Sequence, residues 1–421
     1  MSDTPVFPPK ELDKRLTNVR TAMAARKIDG LLIASPENIY YLTGLDHWGF
    51  FATHVLIVPR DGTMALITRA MEGITVENQV SNATFYGHAD YEEPSDHVLK
   101  ALSDMGLGDG RLALEERTLF LTPHVAQLIK QGAPAADWQD GSGIVDDLRL
   151  VKSPLEMDYT RQAAKAVDIG TVAAIEAVHD GARDYDIAAE CCRAMFAAGS
   201  EYPGFGPFIR PTTRLGEEHT TWRGYTFAKG DAVFLEIGAA YRKYQAPMGR
   251  LVYVGSAPDG AEKSAELAIA GMNAIAKAIV PGARAGDAYA AWREVARGAG
   301  LIGYERHHCG YLVGIGFPPS WTGGSKVTGL APNSELELKP GMSFHLHSWF
   351  TNTDCVDYFI SNTAMLTDTG CEILTTQSPQ TLERLICRRR SRDGLENRLQ
   401  DYDRDCERRG IVGELFTGLN Y

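Results

Sequence analysis

The segment richest in chemistry is a pair of predicted strands, DAVFLEIGAAYRKYQAPMGRLVYVG, running from Asp231 to Gly255. It carries Glu236 on the incoming strand and Tyr244 and Arg250 on the outgoing one. A carboxylate such as Glu236 can pair with a planar cation or attack an electrophilic carbon. Tyr244 and Arg250 are candidates to orient a pocket or hold a substrate carboxylate. A second segment, GMSFHLHSWF, places His345 and His347 two positions apart, and on a strand that spacing turns both rings to one face. With Glu236 they could form a mononuclear site, since imidazole suits several transition metals. The reading carried forward is that they are hydrogen-bonding pocket residues that bind substrate or hold Glu236, with no metal. His219, in EEHTTWRGYTFAKGD, has an imidazole able to take a proton from water and deliver one to a leaving nitrogen, a contribution on the order of 10²–10⁴ in rate. Trp321, in PPSWTGG, and Trp349 offer ring faces that can wall in a cation.

These residues need a scaffold. From Glu11 to Arg149 the chain alternates helical and extended patterns. ELDKRLTNVRTAMAARKI spaces Leu12, Leu16, Val19, Met23 and Ile28 near a helical period, and GLLIAS follows as a short apolar strand. Phe51–Val58, ALITRA, ATFYG and RLALEE are further strand candidates. At DDLRLVKSPLEMDYTRQAA the pattern changes: Ser153 with Glu156 three positions later reads as a capping box, and Pro154 suits a first helical turn. Beyond it the sequence predicts helices over Leu155–His179 and Tyr185–Gly199, strands over Phe205–Val254, helices over Ala261–Ile279 and Gly286–Gly300, and strands again to Leu366. Segregated helices and antiparallel strand pairs indicate α+β. The expected division is 1–148, 149–380 and a charged extension, 381–421, whose Arg388–Arg390 run is read as a solvated face.

Composition narrows the partners. A net charge of −12 over 421 residues argues against a sequence-independent hold on phosphates, which clustered cations must neutralise, so no nucleic acid and no anionic membrane surface are expected. A small soluble substrate is. The seven cysteines include no CxxC pair and are read as free thiols in a reducing cytoplasm. The N-terminal stretch shows no apolar core of a signal peptide, and a cytoplasmic location is expected.

With its elements in order, the chain resembles the creatinase, aminopeptidase P and prolidase superfamily, peptidase family M24. SPENIYYLTGL resembles the N-terminal domain signature, LRLVKSPLEMDYTRQAA the start of the catalytic domain, and LKPGMSFHLH the strand that usually ends in a metal-binding glutamate. The resemblance implies a pita-bread C-terminal domain, an α/β creatinase-like N-terminal domain and a homodimer. It also implies five metal-ligand positions, which here read Glu236, Pro247, Tyr311, His347 and Ser361. Two adjacent ions need bridging carboxylates, and this set supplies only one carboxylate.

The expectation is therefore a cofactor-free, metal-independent hydrolase of a non-peptide C–N bond in a small zwitterionic solute, similar to ectoine hydrolase and creatinase. EIGAAYRKYQAP, GYLVGIGFPPSW and GMSFH are the segments that resemble the former. The implied catalytic residues are His219, which stands twelve positions before Asp231 as the catalytic histidine does in creatinase, with Glu236 as nucleophile and Tyr311 as hydrogen-bond donor. Tyr244, Arg250, His345, His347, Trp321 and Trp349 are expected to bind substrate. Trp48 and Phe50, with His47 in LDHWGFF, are expected to reach a neighbouring subunit's pocket. Two departures bear on the substrate: Ala52 stands near the place of creatinase's carboxylate-holding arginine, and CVDYFISNT lacks the glutamate of a G-L-E-I-T-E strand, leaving Asp357 as a possible stand-in. The alternatives are a lyase or amidase on the same fold, an Xaa-Pro peptidase-like protein, or a noncatalytic small-molecule-binding protein.

Overall fold

The computed structural model describes residues 5–324, 327–351, 353, 356–381 and 386–387. The Arg388–Arg390 run and most of the charged extension lie outside the described residues. Two sheets organise the chain. The first is mixed and six-stranded, in the order β4-β3-β2-β1-β5-β6. Its strands are β1 (Gly30–Ile33), β2 (Val55–Pro59), β3 (Met64–Arg69), β4 (Ala83–His88), β5 (Arg111–Leu114) and β6 (Asp137–Asp140). Five helices accompany it: α1 (Pro9–Ala25), α2 (Pro36–Thr43), α3 (Gly73–Gln79), α4 (Pro94–Asp104) and α5 (Pro123–Gly132). The expected α1 forms where its apolar spacing places it, burying Leu12, Val19 and Met23. SPENIYYLTGL contributes α2, which is buried along its whole length.

After α6 (Ile144–Arg149) comes α7 (Pro154–Ala177), and the predicted capping box is present. Ser153 Oγ accepts from the Glu156 amide, and Glu156 Oε2 accepts from the Ser153 amide at 2.9 Å. Such a cap satisfies two otherwise orphaned amides of the first turn. With α8 (Asp184–Ala197), α9 (Ala261–Ala278) and α10 (Ala285–Gly298), α7 packs on the second sheet. That sheet comprises β7 (Phe208–Pro211), β8 (Ala232–Tyr241), β9 (Tyr244–Val254), β10 (Gly310–Val313), β11 (Ser343–Phe350), β12 (Tyr358–Thr367), β13 (Gly370–Ile373) and β14 (Ile386–Cys387). Its main path is β10-β11-β12-β9-β8-β7. β14 pairs in parallel with β9, so the chain beyond residue 380 returns to this sheet. The fold is a creatinase-like α/β N-terminal part joined to an α+β pita-bread C-terminal part. Among the described residues no helix is long and apolar enough to cross a membrane.

Glu156 also ties the two parts together, and this corrects one expectation. Its Oε1 accepts from the Tyr244 hydroxyl at 2.7 Å, while Arg15 of α1 approaches Oε2 at 3.5 Å. Tyr244 is fully buried in a cluster with Ile315, Phe317 and residues of the first sheet. It serves the joint between the parts, not a substrate pocket, because its hydroxyl is already engaged by a buried carboxylate. Tyr244→Phe should lower unfolding stability in urea by roughly 1–3 kcal/mol, the scale of a hydrogen bond to a charged group. An unchanged midpoint together with weakened substrate binding would return Tyr244 to the pocket.

Candidate functional site

Strand register assembles the site. Phe208 pairs with Glu236, Glu236 with Gly249, Gly249 with Ser361 and Ser361 with His347, giving one row across β7, β8, β9, β12 and β11. The adjoining row runs Gly238, Pro247, Thr363, His345 and Tyr311, with the Thr363 hydroxyl donating to the Pro247 carbonyl at 2.7 Å. Directly paired residues of antiparallel strands share a face. Glu236, Tyr311, His345, His347 and Ser361 therefore meet on one side of the sheet, although they come from four strands.

Two glycines keep that face open. A Cβ on Gly238 would come 2.8 Å from the Trp321 ring, and one on Gly249 would come 2.9 Å from Ser361 Oγ. The indole of Trp321 thus rests against β8 at Gly238 and donates from Nε1 to the Tyr311 hydroxyl oxygen at 2.8 Å. That hydroxyl is 2.9 Å from Nδ1 of His345, whose Nε2 is 2.9 Å from Ser361 Oγ. Nε2 of His347 also stands 2.9 Å from His345 Nδ1.

The cluster is buried, and its electrostatics follow from that. Burial pushes the Glu236 carboxyl up to about 8; Glu218 adds to the shift, and Arg210 and Arg306 oppose it. Among the described residues no side chain or amide donates a hydrogen bond to Glu236. Burial also drives His345 and His347 well below the ordinary imidazole range, so both rings are neutral. His308, pushed down to about 4 by burial with His307 and Arg306 beside it, stands 5.2 Å from the Tyr311 ring and 5.5 Å from that of His347.

Trp321 and Trp349 both border this cluster. Trp349 stacks on His347 at 5.1 Å and lies under the Arg306 guanidinium at 4.8 Å. Its indole N–H has no partner among the described residues. His219 is exposed, in the left-handed region at φ 55°. Its ring lies 5.9 Å from Phe208, the residue paired with Glu236, and 6.0 Å from Phe205. Arg210 holds that loop by donating to the Thr220 carbonyl at 2.8 Å. His219 therefore sits at the rim, and Glu236 and Tyr311 at the floor.

Two further expectations need correction. Arg250 alternates to the opposite face from Glu236 and is consumed by carbonyls: Pro379 at 2.9 Å, Ser361 at 2.8 Å and its neighbour Gly249, with Asn362 Oδ1 at 3.0 Å. It braces β9 against β12 and cannot hold a substrate on the Glu236 side. Phe50 is buried against Phe317 and Phe120 of its own chain, so its ring is core and does not reach outward. Trp48 remains exposed and meets Tyr202 edge-on at 5.5 Å. Asp357 precedes β12 beside Tyr253 and is outside the converging set. Sequence reasoning missed Arg210, Arg306 and His308; the run RHHCGY directly before Tyr311 was the available signal for the latter two.

Two consequences can be measured. Gly238→Ala should cost roughly 1–3 kcal/mol through overpacking, read as a lowered thermal midpoint. The double variant with Trp321→Ala should lose less than the sum of the two single losses; simple additivity would mean the indole does not rest on β8. Glu236 gives a pH signature. A carboxyl raised above its unfolded value lends stability that is complete below that value and lost as pH rises through the folded value. In chelator-treated protein the parent should therefore lose stability relative to Glu236→Gln between about pH 5 and pH 8. A constant difference across that window would place Glu236 in water.

Comparisons with known proteins bear on the family and the fold. Residues 158–368 match the model of metallopeptidase family M24, and residues 15–151 match the creatinase/prolidase N-terminal domain. An ectoine hydrolase from Halomonas elongata is 29% identical over 390 residues, covering 87% of this chain and 96% of that protein. A creatinase from a Bacillus species is 23% identical, covering 80% of this chain and 83% of its own. Among solved structures, an Xaa-Pro dipeptidase from Bacillus anthracis superposes with a TM-score of 0.77 at 22% identity, over 88% of this chain and 99% of that one.

Proposed function

We propose, from the premise that this chain belongs to metallopeptidase family M24, that it hydrolyses a non-peptide C–N bond in a small zwitterionic or cyclic solute. The observation that carries this reading is the content of the two rows. A two-ion peptidase centre needs bridging carboxylates, and here the rows supply one carboxylate, Glu236, beside Pro247, Tyr311, His347 and Ser361. The residues present do not fit two bridged ions, so no step is derived through such a pair. The similarity to an ectoine hydrolase supports an amidine-like or amide-like group as the bond cleaved.

In this reading the substrate's planar, cationic centre lies against Glu236. A buried carboxyl pushed up to about 8 ionises when a cationic ligand arrives beside it, since low dielectric strengthens the pairing. Tyr311, whose hydroxyl oxygen accepts from Trp321, can turn its proton from His345 Nδ1 to a developing negative charge. The rings of Trp321 and Trp349 enclose the cation, and Arg306 over Trp349 offers the countercharge for a substrate carboxylate. His219 at the rim carries protons between water and the leaving nitrogen. Exposed Trp48 is the part of the N-terminal loop free to meet a second subunit, and a homodimer belongs to the same proposal.

Screening cyclic amidines, guanidino acids and short Xaa-Pro peptides with the parent and two variants tests this. The expected outcome is turnover of a non-peptide solute, with Glu236→Gln lowering kcat/KM at least about 10²-fold and His219→Ala about 10²–10⁴-fold. Turnover of Xaa-Pro peptides alone, or full activity in both variants, would overturn the reading.

A further inference from the structure

The polar cluster leaves a chemical account open. Nδ1 of His345 provides one lone pair or one proton, yet it has two polar atoms at 2.9 Å, the Tyr311 hydroxyl and Nε2 of His347. Hydrogen bonding alone cannot serve both contacts well. Beside them Glu236 is a buried carboxyl with no donor among the described residues, and its charged form is costly unless something positive pairs with it. One carboxylate oxygen of Glu236 and one ring nitrogen each of His345 and His347 lie within 4.8 Å of one another, and all three residues are buried.

We infer that Glu236, His345 and His347 form a mononuclear site for one divalent transition-metal ion. Two imidazole nitrogens 2.9 Å apart, each about 2.1 Å from a common ion, subtend about 90°, the cis angle of an octahedral or facially capped site. The Glu236 oxygen lies within 4.8 Å of both nitrogens, and a side-chain adjustment brings it to the carboxylate–metal distance of about 2.0–2.2 Å. The second sphere is already built. Ser361 Oγ is 2.9 Å from His345 Nε2; holding the proton on that nitrogen frees Nδ1 as the ligand, the usual way a partner fixes a ligating histidine. Tyr311, anchored by Trp321, stands next to the remaining positions.

Two imidazoles and one carboxylate select ions of the zinc, cobalt and iron(II) class over magnesium or calcium, which favour all-oxygen shells. Such an ion, when bound, supplies Lewis acidity. The site differs from a two-ion centre in its ligands as well as its count: His345 is not at any of the five superfamily ligand positions, and three of those positions, Pro247, Tyr311 and Ser361, supply no ligand to this ion. It leaves open which bond is cleaved and rests on the ligand geometry, not on the substrate proposed above.

The test uses the full chain, stripped with chelator and titrated with cobalt(II) and with zinc(II). Elemental analysis after gel filtration should find one equivalent per chain, and cobalt should give a visible d–d band. His345→Gln and His347→Gln should each abolish the band. Ser361→Ala, which leaves every ligand in place, should weaken binding on the order of 10–100-fold. The parent measurement stands whether or not a variant folds. Less than about a tenth of an equivalent in the parent would overturn the inference, as would two equivalents, or a band that survives both histidine substitutions. Metal binding without turnover of any C–N solute would sink the proposed activity and leave this site standing; turnover by protein that binds no metal would do the reverse.

Discussion

Everything at the site depends on the pairing register of β8, β9, β12 and β11. A one-residue slip in a strand turns every side chain to the other face, and here it would exchange Glu236 or His347 for core residues such as Leu235 or Leu346. The register is held from behind: Arg250, buried on the opposite face, donates to the carbonyls of Ser361 and Gly249 and to Asn362 Oδ1. A guanidinium with this many fixed acceptors locks β9 to β12 in one alignment. From the front, Gly249 admits Ser361 and Gly238 admits the Trp321 indole. The polar row is thus fixed by residues that never touch a ligand.

Burial then sets the chemistry. The same exclusion of water that raises Glu236 and lowers His345 and His347 makes the pocket a place where a cation is worth more than it is in solution. A substrate cation and a metal ion are two ways of meeting that demand. The rim is different in kind. His219, Glu218 and Arg306 are reached by solvent and supply charge and protons, whereas the floor supplies a carboxylate, neutral nitrogens and a phenol.

Much of this was legible in the chain. The helical spacing of α1, the Ser153–Glu156 capping box and the Glu236 strand pair state their structure locally, and the i, i+2 spacing of His345 and His347 gave their common face. What the sequence could not state were contacts between distant segments. Tyr244 and Arg250 carry the residue types of a binding pocket, but alternation alone did not say which face of β9 was the pocket, and Tyr244 is claimed by Glu156, 88 positions earlier. Phe50 is drawn into the core by Phe317 in the same way. The meeting of Glu236 with the histidine pair was visible as a possibility. Its closeness was not, because that depends on the β9–β12 pairing.

The account rests on a single carboxylate and two histidines converging where two bridged ions do not fit. Anomalous diffraction at the cobalt edge, from crystals of cobalt-loaded protein, tests that convergence directly. The expected map has one peak, bounded by Glu236, His345 and His347. Two peaks separated by about 3.5–4 Å, or a single peak away from these side chains, would contradict it.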